Sequence, residues 1–306
     1  MSDPTESVII ASFCSALGIF AVTATARKLL EKPFLDLPEE EPVPHDEESP
    51  YFHAIAVEEP PHEAAENVPT WFYGRFDLLG LGFVFAMFFG LVVASVHSAA
   101  KSEVVLDAGG LIASIAFQFI CAGIVTAFVI TRVRPIEWLG LRWKHWPWVF
   151  LIAPGAVISM WLFFGGLQVS GFMDWMENLG VDSVQDTVKL LRDATDPLTI
   201  GLMAAAAVIA APICEEIVFR GYLYPAAKKF SGPWVACFCS ALVFAAAHGS
   251  MAALLPLFVF GCVLVFIYEK TGSIWAPMAV HFCFNGATVL IQLAIRYYDL
   301  PVEASL

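Results

Sequence analysis

"TIGLMAAAAVIAAPICEEIVFRGYLY", residues 199–224, is the stretch that decides the fold. Its first part, Thr199 to Ile213, carries no charge. Then come Glu215, Glu216 and Arg220 within six positions. A run of about 20 apolar residues reads as a membrane-spanning helix. A charge at bilayer depth costs about 2.5–3.5 kcal/mol on insertion scales. Charges kept inside such a run need partners or a cavity, so this span is the place to look for chemistry.

Working outward, seven more apolar runs flank this one. The eight expected spans are 8–26, 76–98, 108–131, 147–169, 198–226, 233–249, 252–268 and 273–295. The chain has 306 residues, of which 58% are hydrophobic and only 15% charged. Soluble domains carry about 25% charge. Length alone suggests about two domains, but this composition points to one polytopic, all-α integral membrane protein. Inside a bilayer every backbone group must be satisfied within its own segment, which makes each span a helix. The expected organisation is an N-terminal transmembrane helix (1–35), an acidic Pro-rich loop (36–75), two transmembrane helices (76–135) and a membrane core (136–306). The opening "MSDPTES" lacks a positive n-region, so the first span is not read as a cleaved signal.

The net charge of −13 comes largely from residues 36–66, with eleven acids, no Lys or Arg, and many prolines. Such a segment buries too little to fold alone and is expected to be a disordered or extended, solvated linker. No basic stripe is present, which argues against nucleic acid as a partner. The seven cysteines (14, 121, 214, 237, 239, 262 and 283) all fall in apolar spans and are odd in number. They read as small packing side chains, not a disulfide framework or zinc ribbon. Cys214 precedes two acids, the opposite of the electropositive setting a reactive thiolate needs.

Basic residues set orientation. Arg27, Lys28, Lys32, Arg75, Arg132, Arg134, Arg142, Lys144, Lys228, Lys229 and Lys270 fall on one side of the eight-span arrangement. Lys101, Lys189, Arg192 and Arg296 fall on the other. The expectation is a plasma-membrane protein with both termini outside the cytoplasm.

The first four spans look nearly free of polar groups, whereas the later ones hold Glu215, Glu216, Arg220, His248, His281 and Asn285. Glu216 and Arg220 are four apart and share a helix face, so they can pair. Glu215 is turned about 100° away and can point elsewhere. His281 and Asn285 share a face in "HFCFN", as do Phe244 and His248 in "FAAAH". At about 1.5 Å per residue, Glu215, His248, His281 and Asn285 lie roughly 12–22 Å from the basic-side ends of their spans. One shared mid-membrane site fits these depths. Each residue alone has a bland reading: a structural ion pair, a packed histidine, a helix cap before "GS", or an asparagine bridging helices.

The ordered motifs "EEIVFR" (215–220), "FAAAH" (244–248) and "HFCFN" (281–285) resemble the CPBP family, the CAAX prenyl endopeptidases and Abi-type bacteriocin-processing membrane proteases. "LGLR" at 139–142 is similar to a further family feature, so the likeness runs over 136–295 and leaves the first two spans outside. The resemblance implies an intramembrane endopeptidase acting on a membrane-associated protein or peptide, lipidated or not. It implies Glu215 as the base that activates water and His248 as the residue that holds it. It implies His281 and Asn285 as oxyanion donors, Glu216 with Arg220 as orienting groups, and Phe244 as packing near the chamber. The family is described as metalloproteases, and Glu215, His248 and His281 could form a zinc-type site with an open position. The same residues also suit a metal-free, glutamate-activated water, and both mechanisms stay open.

Residues 183–193, "SVQDTVKLLRD", read as a short interfacial helix, with Ser183 capping near Asp186 and Val184, Val188 and Leu191 on one face. Such a helix could shade the entrance to a chamber, or simply rest on the bilayer. Two other functions compete with proteolysis. A transporter would show internal repeats, and none is visible. A non-catalytic scaffold would have lost a motif residue, and none is lost.

Overall fold

The computed structural model describes residues 4–30, 68–99, 107–179, 181 and 186–298. The acidic segment 36–66 and the expected Ser183 cap lie outside them. Among the described residues there are helices and turns and no strands. The elements are α1 (Pro4–Leu30), α2 (Phe76–Ala99), α3 (Ala108–Val129), α4 (Pro135–Trp138), α5 (Val149–Val169), α6 (Phe172–Asn178) and α7 (Asp186–Asp193). Then follow α8 (Pro197–Ser231), α9 (Pro233–Ala246), α10 (Met251–Thr271) and α11 (Trp275–Tyr297). The architecture is that of a polytopic membrane protein.

Seven of these helices are long and apolar enough to cross a membrane. The eighth expected span, 233–249, is the correction. Its helix α9 has 14 residues, about 21 Å at the helical rise, against a hydrocarbon core about 30 Å thick. It stops at Ala246, and the chain turns through Gly249 at φ 67° before α10 begins. The break falls at the "FAAAH" motif. α9 lies along α10 so closely that a Cβ at Gly261 would sit 3.1 Å from the Ala241 backbone.

The span 198–226 is one helix of 35 residues, but not a uniform one. It widens into π-helical turns at Ala206–Ala210 and Glu216–Leu223, so that Glu215 closes the α-helical piece between them and Glu216 opens the second. Proline explains both. The Ala211 N–H bonds to the Ala206 carbonyl, five residues back. The next donor in that register would be residue 212, a proline with no N–H, so the Ala207 carbonyl loses its partner. Pro225 likewise withholds a donor from the Gly221 carbonyl, four residues earlier. Orphaned carbonyls in a bilayer must be satisfied from elsewhere. Asn285 of α11 donates to Ala207 at 2.8 Å. The Tyr73 hydroxyl and the Trp138 indole donate to Gly221 at 2.8 and 2.7 Å.

The expected paucity of polar groups in the first four spans also needs correcting. Asp77, in the first turn of α2, is fully buried. Its carboxylate takes both arms of Arg132 at 2.7 and 2.9 Å, the Gly74 N–H at 2.7 Å and the Tyr222 hydroxyl at 3.3 Å. Tyr222 can reach it only because residue 80 is glycine; a Cβ there would lie 1.9 Å from the Tyr222 oxygen. The "LGLR" stretch acts as a joint. Gly140 adopts φ 59° against the Gly272 backbone, and the Leu139 carbonyl accepts from Ile274 N–H at 2.9 Å. The short helix α7 packs Leu190 and Leu191 into a cluster with Leu111, Met203 and Val289, which anchors it on α8 and α11. Among the cysteines, Cys14 and Cys283 are exposed on the outer face and not buried as packing groups.

Candidate active site

Glu216 is completely buried. Its Oε1 accepts from Arg220 Nη1 at 2.9 Å and from His281 Nδ1 at 2.8 Å. The wide π turn keeps Glu216 and Arg220 on one face, so the pair four residues apart closes inside the bundle. A carboxylate already paired with a guanidinium can only accept, which assigns a proton to Nδ1 of His281. Arg220 is 99% buried by its 1% exposure, and its Nη2 reaches the Gly261 carbonyl at 3.4 Å. Its guanidinium stands 4.4 Å from the centre of the Phe244 ring, close enough for a cation–π contact.

Glu215 faces differently. It is partly exposed, at 22%, and its Oε2 lies 4.0 Å from Nε2 of His281. That is beyond a direct hydrogen bond and within the span one water bridges. Glu215 Oε2 and Glu216 Oε2 are both buried without a protein hydrogen-bond partner. In an apolar surrounding such oxygens are costly unless something else meets them. His281 therefore stands between two carboxylates, bonded to one by Nδ1 and presenting Nε2 to the other.

His248 sits where α9 ends. Its Nδ1 pairs with the Phe244 carbonyl at 2.8 Å, which leaves Nε2 as the acceptor nitrogen. The Phe244 ring lies 4.9 Å from the His248 ring and 6.0 Å from that of His281, centre to centre. Phe244 thus packs against both histidines while supporting Arg220. Phe260 and Phe284 continue the wall, with the Phe260 ring 5.4 Å from His281 and 4.6 Å from Phe284. Asn285 lies one turn beyond His281, and one of its two amide hydrogens is taken by Ala207.

The site thus gathers Glu215, Glu216, Arg220 and His281 directly, with His248 and Asn285 joined through Phe244 and Ala207. Among the described residues no three His, Cys, Asp or Glu side chains come together in a group that could hold a metal. Glu215, His248 and His281 do not form such a group, although each histidine has its Nδ1 held by an acceptor and its Nε2 turned elsewhere. Sequence reasoning did not reach Phe219, Phe260, Phe284 or the Gly261 carbonyl. Apolar residues and backbone oxygens leave no spacing signal. Pro212 did carry one, since it predicts an orphaned carbonyl that a nearby amide must meet.

The stretch that holds every one of these groups can now be compared with known proteins. Residues 197–287 match the family Type II CAAX prenyl endopeptidase Rce1-like. That Rce1-like segment runs from the start of α8 to the middle of α11 and leaves α1–α7 outside. The chain is also 27% identical over 197 residues to a Bacillus subtilis (strain 168) protein titled "Putative membrane peptidase YdiL". The alignment covers 64% of this chain and 78% of that protein. No solved structure matches.

Proposed function

We propose that this chain is an intramembrane endopeptidase of the CAAX type, in which Glu215 activates the attacking water. One observation carries the reading. Of two adjacent glutamates, Glu216 is neutralised by Arg220, while Glu215 keeps a buried oxygen without a protein partner and faces His281 Nε2 at 4.0 Å. One acid is spent on structure and the other is left for chemistry. The Rce1-like match over 197–287 and the likeness to YdiL support the same reaction class.

The steps follow from the donor and acceptor inventory. Glu215 takes a proton from water as the oxygen attacks the scissile carbonyl. His248, with Nδ1 on the Phe244 carbonyl, has Nε2 as an acceptor, and a closer approach of α9 to α8 would bring it to that water's other hydrogen. The carbonyl oxygen becomes an oxyanion. His281, when protonated at Nε2, and the free amide hydrogen of Asn285 are the available donors to it. Glu216 fixes the ring of His281 through Nδ1, and Arg220 pairs with the same oxygen of Glu216. Collapse of the tetrahedral intermediate breaks the C–N bond, and Glu215 returns its proton to the leaving amine. No step here uses a metal. The substrate is a membrane-associated protein or peptide.

The test is a comparison of protein termini in host membranes carrying wild type or Glu215→Gln at equal abundance. New termini that need Glu215 support the reading and name the substrate. Unchanged termini, with Glu215→Gln still rescuing a deletion phenotype, would make the protein a non-catalytic scaffold.

A further inference from the structure

At one end of the bundle the start of α11 meets the turn leading into α5. Between them is a cleft of about 460 Å³ lined by Leu141, Trp143, Trp146, Val149, Trp275 and Ala279. Trp146 and Trp275 each open a candidate membrane span, so the cleft lies at the level of the bilayer boundary. The Trp275 indole donates to the Leu141 carbonyl at 3.2 Å, which fixes one aromatic wall. Trp146 and Trp275 remain 56% and 51% exposed. On α11, Ala279 and His281 are two residues apart, about 200° around the helix. The cleft therefore opens on the face opposite the active site and is not the chamber described above.

The lining residues Leu141 and Trp143 are flanked in sequence by Arg142 and Lys144, both exposed, and Arg134 is exposed eight residues before Arg142. Arg132 is committed to Asp77. The acid of this stretch is Glu137. In a chain of net charge −13, this is a cationic island. Aromatic walls alone would also suit a quaternary ammonium group, but Arg142 and Lys144 oppose a cation there. Tryptophans suit the ester and glycerol level of a bilayer, where one side is apolar and the other wet. Basic pockets between membrane helices accept anionic headgroups.

We propose that this cleft binds an anionic glycerophospholipid, its phosphate against Arg142 and Lys144 and its glycerol–ester region between the tryptophans. The site is independent of the peptidase reading and uses none of its residues.

Native mass spectrometry of the full-length protein in detergent, with phosphatidylglycerol and phosphatidylcholine of identical chains, tests it. Wild type is expected to retain phosphatidylglycerol with a preference of roughly tenfold or more. The double variant Arg142→Ala/Lys144→Ala should lose that preference. Ala279→Phe keeps the charges and fills the cleft, and it should lose retention as well. If Ala279→Phe does not fold, Trp146→Ala removes a wall that is already 56% exposed. Equal retention of the two lipids by wild type would overturn the proposal. So would a preference that survives either the charge variant or the folded cleft variant, since the lipid would then sit elsewhere.

Discussion

Among the described residues two carboxylate–guanidinium pairs, Asp77 with Arg132 and Glu216 with Arg220, are built in opposite ways. Asp77 is paired with Arg132, 55 residues away, and its two oxygens receive four donors. Glu216 is paired with Arg220, four residues away, and both donors to it fall on one oxygen. The other oxygen of Glu216, and one of Glu215, have no protein partner. A saturated carboxylate has nothing left to offer and works as a clamp, here between α2, the end of α3 and the π turn of α8. Unsaturated acids at similar burial are expensive in an apolar setting and persist where a reaction uses them. Count of satisfied lone pairs, more than burial or charge, separates the two regions.

The largest expected effect follows from that contrast. Glu215→Gln keeps the shape and removes the base, so cleavage should fall by about 10²–10⁴-fold or more. Thermal unfolding in detergent should stay close to wild type, because Glu215 Oε2 makes no protein hydrogen bond to lose. A large fall in stability with this variant would place Glu215 among the structural acids and erase the distinction.

Asp77→Asn should do the reverse. It leaves Arg132 facing a neutral amide in a site where the acid was fully buried. Breaking a buried pair costs about 3–5 kcal/mol. Arg132 is 28% exposed, so the low end, about 3 kcal/mol, applies. The readout is the unfolding midpoint, with turnover per folded molecule little changed. Lost turnover without lost stability would show that the clamp feeds the site and is not merely scaffolding.

A smaller effect separates two jobs for Asn285. Its amide donates to the Ala207 carbonyl that Pro212 leaves orphaned. Interhelical hydrogen bonds in membranes contribute on the order of 1 kcal/mol. Asn285→Ala should therefore lower stability by about that amount. If Asn285 also donates to the oxyanion, kcat should fall by roughly 10²-fold or more, beyond what the stability change explains. Trp138→Phe with Tyr73→Phe is the matching control, because together they strip the Gly221 carbonyl of both donors without touching the acids. That pair should cost stability alone.

Which parts of this were legible beforehand follows from chain distance. The apolar runs, the face shared by Glu216 and Arg220, and the ordered motifs of the later spans are local patterns of 3.6-residue spacing, and the helices formed on them. The end of α9 near His248 and Gly249 was readable, but the apolar run 233–249 reads as a crossing although its helix has only 14 residues. Asp77 looked like the polar start of a span and Arg132 like a loop charge, because their contact bridges 55 residues. The link from Asn285 to Ala207 bridges 78. What a proline removes was readable at Pro212 and Pro225; which side chain would replace it was not.

Chelation carries the smallest expected effect. Nδ1 of His281 is held by Glu216 and Nδ1 of His248 by the Phe244 carbonyl, and the Phe244 ring packs against both imidazoles. For Glu215 and both Nε2 atoms to share an ion, α9 and α11 would have to bring these groups closer than they stand. A catalytic zinc site holds its ligands about 2.0–2.2 Å from the metal, a convergence that no group of His, Cys, Asp or Glu among the described residues makes. EDTA or phenanthroline, added to the purified enzyme cleaving the substrate found from the termini, should therefore leave the rate unchanged. A loss of activity that added zinc restores would mean that α9 and α11 close further in the working enzyme. The oxygen of Glu215 that lacks a protein partner would then be a metal ligand instead of a free base. The contrast with Asp77 would still stand, since an acid reserved for a metal is left unsaturated by the protein for the same reason as one reserved for water.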